Sequence, residues 1–496
     1  MISNNFPHLT PIKALETLQN SKLLLSSSGN LSGNPCHIST WFDPNGQNTI
    51  YIPLKGQNFD PFPLLGTVSC LPSLIVIEDP NNLPRGWVGP WVQVVSSRAA
   101  WSYLAAASWG NPQDQLHILG VTGTNGKTST SWIVRELLRN SGIPCGLVGT
   151  LGAFTHTNAV ETAHTTPDPP QLFEFFAKLV AEGTRYCAME VSSHALVQRK
   201  CDPIKYSGAA WTSFSRDHLD FHSNEDSYWQ AKNRLFTELM QPTAKKISCS
   251  DVYPQPYGIT DTYSGHPSPF INHVIVRSVS QSLTHTKLSL TSNNLKICAD
   301  VPFFGQHSLE NIAAAYLLTQ DALNGENLES LFPKICPVPG RMEMIENPLG
   351  HLTFVDYAHT PDALEKVLTT ARSFSKKRII CVFGCGGNRD KGKRPMMGNI
   401  SGRLADFVVI TSDNPRNEDP NSICKDIAGG ILGNSYIVEV DRFKAIQYAV
   451  ACAQPGDTLI IAGKGHENYQ EISGKRLPFD DRMVTRQIYL QRETTK

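Results

Sequence analysis

The run Gly120-Val-Thr-Gly-Thr-Asn-Gly-Lys-Thr128 constrains the fold of this chain more than any other segment. It follows a short apolar stretch, 116–121, that reads as a buried strand, and it precedes 128–140, whose pattern is helical. A glycine-rich turn between strand and helix is the layout of a phosphate-binding loop. Backbone N–H groups around Gly123 and Gly126 can surround a polyphosphate because no side chain blocks the approach, and the helix N-terminus adds a favourable dipole. In that layout Lys127 lies against the β- and γ-phosphates and the Thr128 hydroxyl faces a magnesium ion. The strict pattern has glycine at position 121, where this chain has Val121. A bare glycine-rich turn that binds nothing is the competing reading. The strand before, the helix after and Lys-Thr in place weigh against it.

A phosphate loop requires an α/β sheet to carry it, and the rest of the chain supplies the alternation. At 496 residues the chain exceeds one hydrophobic core, and domain-size scaling suggests about three units. Residues 1–113 are rich in Pro, Gly and Asn, with short apolar runs at 49–54 and Leu74–Ile77 and a closing helix at 97–109; Asn111-Pro112 reads as a linker. From 114 to 337, strand-like runs at 186–191 and 208–212 alternate with helical patterns at 228–239 and 309–318, which implies a mainly parallel sheet. The stretch 241–292 is less periodic and reads as hairpins or an insertion. From 338 onward, apolar runs at 352–355, 378–383, Phe407–Ile410, 436–440 and Thr458–Ala462 are separated by helical patterns. That is a doubly wound sheet of Rossmann type. The expectation is an α/β chain of three domains: an N-terminal one over 1–113, a central P-loop mononucleotide-binding one over 114–337, and a C-terminal Rossmann-like one over 338–496.

Composition narrows the class. Hydrophobic residues make up 40% and charged residues 18%, an ordinary globular balance. The 44 basic and 44 acidic residues cancel to a net charge of +0, which argues against a dedicated nucleic-acid binder. No stretch approaches the roughly 20 apolar residues of a membrane span. The first fifteen residues lack a basic region followed by an apolar run, so no secretory signal is expected and the chain reads as cytoplasmic. Twelve cysteines without a CxxC pair read as reduced, mostly buried thiols.

Three further clusters carry chemistry. Glu190 ends the 186–191 strand and is followed by Ser192, Ser193 and His194. A carboxylate at the C-terminal end of a parallel strand lies beside a nucleotide crevice, and hard oxygens suit magnesium. A glutamate capped by its own neighbours would look the same. In Ser215-Arg-Asp-His-Leu-Asp-Phe-His222, Asp217 or His218 could reach a second metal or the phosphates, although a solvated loop fits too. In 228–236, Tyr228, Ala231, Leu235 and Phe236 hold a helix against the core, and Lys232 lies beside that face. An isolated lysine is usually solvated, and spacing alone does not show a modification.

The order of these motifs resembles the Mur ligases, the ATP-dependent enzymes that build the peptidoglycan stem peptide. The carrying runs are GVTGTNGKTST, MEVSSHAL, SRDHLDFH and YWQAKNRLF. They continue with VPGRME (338–343), VDYAHTPDALE (355–365), FGCGGNRDKGKRP (383–395), DNPRNEDP (413–420) and AGKGHENYQ (462–470). The match covers the chain from about residue 115 to its end and is closest to the branch that adds the third residue of the stem. The resemblance implies transfer of the ATP γ-phosphoryl group to a substrate carboxylate, then attack of an amine on the acyl phosphate to give an amide, ADP and phosphate.

The resemblance also implies roles. Lys127, Glu190, His218 and Lys232 would be catalytic, with Thr128, Glu190 and His218 at magnesium sites. Lys232 would be carbamylated, which turns a cation into an anionic oxygen ligand for magnesium. Gly123, Thr124, Asn125, Gly126, Lys127, Thr128, Asn311, Arg341, Asp356 and His359 match positions that contact or orient ATP, in a site that closes between domains. Thr165, Thr166, Ser192 and Gln198 match contacts to a UDP-muramoyl dipeptide. The family has arginine two residues after that glutamine, where this chain has Lys200, with Arg199 before it. Either Arg199 reaches in with shifted register or Lys200 makes a point contact. Asp413-Asn-Pro-Arg416 matches the pattern of enzymes using meso-diaminopimelate, with Arg416 as a planar fork for its distal carboxylate. Arg389, Asp413, Asn414, Gly463 and Glu467 match the rest of that pocket, Glu467 facing an ammonium group.

Residues 1–113 resemble the family's UDP-binding domain only through 50–56 and Asp60; an expected Asp-Ser-Arg element is replaced by Trp41-Phe42-Asp43. The expected partners are small molecules only, with no nucleic acid or membrane insertion, and the chain is expected to be a monomer. The alternatives are L-lysine as the amino acid, another ligase of the superfamily such as MurF or folylpolyglutamate synthetase, a kinase releasing a stable phosphorylated product, or a non-catalytic P-loop binding protein. The last would be expected to lose Lys127, Glu190 or Lys232, and all are present.

Overall fold

Alternating β and α segments fold into stacked sheets and helices, as the periodicity requires. The computed structural model describes residues 8–31, 33–41, 48–56, 59–219, 221–269, 272–282, 285–292, 295–433 and 435–493. The first seven residues, Phe42, Asp43 and Asp220, to which the sequence reading refers, lie outside the described residues. The chain divides into two compact units, one of 1–122, 144–209 and 230–245, the other of 123–143, 210–229 and 246–496.

The first unit begins with a five-stranded sheet in the order Leu24–Ser28, Trp91–Val94, Leu74–Ile77, Thr49–Tyr51, His37–Ser39. Only the Leu24–Ser28 edge is antiparallel. Ile50, Leu74, Val76 and Val92 of this sheet share a core with Ala14 and Leu18 of the helix Pro11–Asn20 and with Ala100 and Leu104 of the helix Ser97–Ser108. The apolar run 49–54 is a strand only to Tyr51, because Pro53 has no N–H to give to a ladder. The same unit holds the parallel trio His117–Thr122, Tyr186–Glu190 and Cys145–Gly149, with Tyr186–Glu190 in the middle. Val121, where the strict loop pattern has glycine, is buried in this trio and pairs in register with Glu190. Gly120 is required there, since a Cβ would fall 2.8 Å from the Tyr206 ring.

In the second unit the helix Lys127–Asn140 packs on Gln306–Thr319. The irregular stretch resolves into strands. Asp261–Ser264 runs parallel to His273–Gln281, which forms an antiparallel meander with Thr286–Ser292 and Leu295–Val301. The C-terminal sheet has six strands in the order Glu343–Met344, Leu352–Asp356, Thr458–Ala462, Ile379–Phe383, Phe407–Ile410, Tyr436–Val438. All but the first pair are parallel. Its central strands are buried along their whole length, which requires helices on both faces. Pro361–Phe374, Lys393–Leu404 and Pro420–Ala428 cover one face through Leu364, Leu368, Met397 and Ile423. Arg442–Cys452 and Asp481–Glu493 cover the other through Ile446, Ala449 and Ile488. The strands ending at Asp356, Phe383, Ile410 and Ala462 release their loops at one end of the sheet, where doubly wound folds bind ligands.

All twelve cysteines are free thiols, eight of them buried. Among the described residues no helix is long and apolar enough to cross a membrane.

Candidate functional site

The phosphate loop is built by backbone conformations that exclude side chains. Gly123 and Gly126 sit at φ +142° and +88°. A Cβ on Gly123 would meet the Thr212 hydroxyl, and one on Gly126 would lie 2.6 Å from Asn311 Oδ1. The loop is fastened from beneath. Thr124 N donates to Ser213 O at 2.9 Å, Thr124 Oγ1 to Ser215 O at 3.1 Å, and Asn125 N to Ser213 Oγ at 2.9 Å. Lys127 Nζ donates to the carbonyls of Gly123 and Thr124, each at 2.8 Å, so the loop's own backbone holds an ammonium at its mouth.

Of the expected nucleotide residues of this unit, Asn311 and Arg341 reach that loop, while the hydrogen bonds of the Asp356 carboxylate and of His359 lie within 342–393. Arg341 Nη2 donates to Thr128 Oγ1 at 3.2 Å, and its guanidinium stacks 4.3 Å over the Tyr357 ring. Asn311 Oδ1 accepts from Thr130 Oγ1 at 3.3 Å. Asn125 Nδ2 donates to Asp362 Oδ2 at 2.7 Å. Asp356 accepts from Met342 N and Ala358 N, both at 2.7 Å; burial raises its pKa while Arg341 opposes the shift. Burial, with Lys393 nearby, pushes His359 down to about 4, so its ring is neutral at pH 7. Lys393 Nζ donates to the His359 carbonyl at 2.8 Å. His218 has φ +55° and sits on Asp217, with Nε2 3.5 Å from Oδ2. Burial disfavours the Asp217 charge, yet His218, His359 and Lys393 outweigh it and hold the carboxyl below its ordinary range.

The first unit gathers a second set. Glu190 is buried, and its carboxylate accepts from Thr150 N at 2.8 Å and Thr150 Oγ1 at 3.1 Å. Gly149 makes room for it, because a Cβ there would collide with Glu190 Oε1. Thr150 follows directly on the adjacent strand Cys145–Gly149, so this partner is brought in by the sheet order. Thr165 Oγ1 lies 3.2 Å from Thr150 Oγ1, and Thr166 Oγ1 donates to Glu190 O at 2.9 Å. Ser192 N donates to Thr166 Oγ1 at 3.2 Å, and Ser192 caps the short helix Ser193–Val197 that ends before Gln198. Lys200 is buried and pairs with Asp168 at 2.7 Å, while Arg199 turns to Asp202 at 3.0 Å. Of the two register alternatives, it is Lys200 that faces the 165–168 segment. Lys232, on the helix Glu225–Glu238, is 1% exposed. Of the two readings of Lys232, the solvated one does not hold: the face carrying Ala231, Leu235 and Phe236 is turned into the core and takes Lys232 with it.

The third set hangs on the C-terminal sheet. Arg389 follows Ile379–Phe383; Asp413, Asn414 and Arg416 follow Phe407–Ile410; Gly463 and Glu467 follow Thr458–Ala462. Gly463, at φ +114°, leaves space for Asp413 Oδ2, which a Cβ would approach to 2.5 Å. Asn414 Nδ2 donates to Glu467 Oε2 at 2.8 Å, and the fully buried Lys464 donates to both Glu467 Oε2 and Asn414 Oδ1. Burial raises the Glu467 pKa against the pull of Lys464. Arg389 lines a cavity of about 340 Å³ with Arg216, Leu219, Asn388 and Asp390, a surrounding that favours an anionic ligand.

Among the described residues, no three His, Cys, Asp or Glu side chains gather into a metal cage. The chain instead offers separate hard oxygens, Thr128 Oγ1 and the Glu190 carboxylate. Each is, by itself, the kind of hard oxygen that magnesium takes.

Sequence reasoning missed Thr150, Asp168, Asp362 and Lys464. Each acts by pairing with a residue distant in the chain or by being buried, and neither property has a local signal. Asp362 and Lys464 lay inside quoted runs, VDYAHTPDALE and AGKGHENYQ, without a role being read for them.

The Mur ligase middle domain family matches residues 121–319, and the Mur ligase, glutamate ligase domain matches residues 340–465. A Geobacter metallireducens protein named UDP-N-acetylmuramoyl-L-alanyl-D-glutamate--2,6-diaminopimelate ligase is 38% identical over 440 residues, 82% of this chain and 84% of its own length. A Prochlorococcus marinus protein of the same name is 40% identical over 405 residues, 78% of this chain and 79% of its own. A solved structure of a ligase of that name superposes with a TM-score of 0.65 at 29% identity, covering 98% of this chain and 99% of the other.

Proposed function

The chain belongs to the Mur ligase family, and from that premise we propose that it is an ATP-dependent, ADP-forming ligase that adds meso-diaminopimelate to UDP-N-acetylmuramoyl-L-alanyl-D-glutamate in peptidoglycan precursor synthesis. The observation that carries the amino-acid reading is the Asp413–Arg416 loop. It sets a guanidinium and the Asn414–Lys464–Glu467 network at neighbouring strand ends, a pairing suited to an amino acid with both a distal carboxylate and an ammonium group.

In this reading Lys127 and the Gly123–Thr128 amides hold the ATP phosphates, with Asn311, Arg341, Asp356 and His359 orienting the nucleotide. The γ-phosphoryl group passes to the D-glutamate carboxylate, and the amine of diaminopimelate attacks the acyl phosphate and expels phosphate. Positioning and charge neutralisation dominate such a transfer. Magnesium, when bound, neutralises phosphate charge, and Thr128, Glu190 and His218 would hold it. A carbamate on Lys232 would supply an anionic oxygen, and the burial of that lysine, unusual for a side chain that is ordinarily solvated, supports a role other than a surface charge. Thr165, Thr166, Ser192, Gln198 and Lys200 would receive the UDP-dipeptide. Arg389, Asp413, Asn414, Arg416, Gly463 and Glu467 would receive diaminopimelate.

The domain boundaries 1–113, 114–337 and 338–496 belong to the same proposal, supported by family matches that fall inside the second and third. So do a monomeric state and a cytoplasmic location, where the nucleotide substrates are made available.

The test is phosphate release from the protein with ATP, magnesium and the UDP-dipeptide, comparing meso-diaminopimelate with L-lysine. Release with diaminopimelate alone, with a tripeptide product, is expected. Release with lysine would overturn the pocket, and release with neither would overturn the acceptor. The carbamate is read separately: protein equilibrated with ¹³C-labelled bicarbonate should show a carbamate carbon resonance that Lys232→Arg lacks.

A further inference from the structure

Arg416 is held by more than its own loop. It follows Pro415 with φ +51°, a conformation that L-residues rarely adopt without outside support. The support is a hairpin, Tyr469–Ile472 paired antiparallel with Lys475–Pro478. Its turn, Ser473-Gly474, has positive φ at both residues, +49° and +74°, as two-residue loops that match strand twist require. The first hairpin strand takes up the 413–416 loop residue by residue. Gln470 Nε2 donates to Asp413 O at 2.7 Å. Glu471 N donates to Asn414 Oδ1 at 2.9 Å. Arg416 N donates to Glu471 O at 3.0 Å, and Ser473 N donates to Arg416 O at 2.7 Å.

Side chains complete the attachment. Arg416 Nε lies 3.2 Å from Glu471 Oε2, and Arg416 Nη1 donates to Gly387 O at 2.9 Å. The guanidinium is thus gripped at two nitrogens, from a hairpin strand and a loop, and neither contact uses Nη2. A free arginine samples many rotamers, and ordering it at the moment of binding costs affinity. An arginine ordered beforehand presents a fixed donor to a carboxylate.

We propose that Glu471 is a positioning residue for Arg416 and, through it, a determinant of selectivity for an amino acid bearing a second, distal carboxylate. The inference rests on the diaminopimelate reading of the Asp413–Arg416 loop. Glu471 does not touch the substrate in this scheme. It fixes the direction of the group that does, and the hairpin is the frame that sets Glu471.

The experiment is steady-state phosphate release with ATP, magnesium and the UDP-dipeptide, at varied meso-diaminopimelate and varied ATP. Glu471→Ala is expected to raise the KM for diaminopimelate about three- to fivefold, the scale of a part-exposed ion pair, with kcat and the KM for ATP unchanged. Glu471→Gln keeps an oxygen acceptor for Nε and should return the KM to within about twofold of wild type. In an Arg416→Ala background, Glu471→Ala should add nothing, because it acts only through the arginine. A KM that is unchanged or lowered in Glu471→Ala, or an effect that persists in full without Arg416, overturns the inference. Wild-type protein that uses L-lysine in place of diaminopimelate overturns the underlying amino-acid reading instead, before any variant is compared.

Discussion

The C-terminal sheet carries a buried ion pair whose loss should be felt both in stability and in the pocket. Arg442 and Asp481 have side chains 0% and 0% exposed. Arg442 Nε and Nη2 each donate to the Asp481 carboxylate at 2.7 Å. Its remaining bonds go to the carbonyls of Ala462 at 2.9 Å and Ser412 at 3.3 Å, the residues directly before Gly463 and Asp413. Arg442→Met removes four hydrogen bonds and strands a buried carboxylate, and breaking such a pair from one side costs about 3–5 kcal/mol. With a urea slope of roughly 1–3 kcal/mol/M, the midpoint of the C-terminal transition should fall by about 1–5 M. Urea unfolding followed by circular dichroism and pulse proteolysis would read it. The double variant Arg442→Met/Asp481→Leu should recover most of the loss, since two apolar side chains leave no orphaned charge. The reasoning fails if the single variant loses less than about 1 kcal/mol, or if the double variant is as unstable as the single one.

Other expectations follow from single contacts. Lys127→Ala should lower turnover by ~10²–10³-fold, because the γ-phosphate loses its nearest cation and the loop loses two internal hydrogen bonds; wild-type rates would dismiss the site. Gly126→Ala should raise the KM for ATP about tenfold, from roughly 1–2 kcal/mol of left-handed strain plus the clash with Asn311, and an unchanged KM would refute it. Arg416→Ala should weaken diaminopimelate use far more than ATP use, and equal loss of both would count against the pocket. Burial, with Lys366 nearby, pushes His307 down to about 4, so the folded chain binds this proton less readily than the unfolded chain, whose histidine titrates near 6.5. Its contribution to stability is therefore full above about pH 6.5 and is lost as pH falls toward 4; His307→Asn should flatten the urea midpoint over that window, and an identical slope would exclude the effect.

How far the chain could be read without coordinates depends on how local each signal is. The phosphate loop was legible because its strand, glycines and helix are contiguous, and each element lies within one or two residues of its expected bounds. The C-terminal strands were legible because full burial leaves unbroken apolar runs. Where polar residues end a run, the reading overshot: 436–440 forms a strand only over Tyr436–Val438. Lys232 was singled out by the resemblance and not by its own spacing. Its charge argued for solvent, but the direction of a helix face is decided by the sum of its neighbours, and Ala231, Leu235 and Phe236 prevail.

The residues that hold the candidate pockets in shape were the least legible, and for one physical reason. Glu190 depends on Thr150, Lys200 on Asp168, Asn125 on Asp362, Arg416 on Glu471, and Ser412 and Ala462 on Arg442. Every one of these partners is brought in by topology from another strand, helix or loop. A motif marks groups that must touch a ligand, because chemistry fixes their type and spacing. The groups that orient them can be any donor or acceptor that the sheet order delivers to the same end. Lys127 and Arg416 can therefore be named from a run of letters, whereas the accuracy with which they are aimed is a property of the fold, and it is at Glu471 and Arg442 that substitution should separate binding of one substrate from binding of the others.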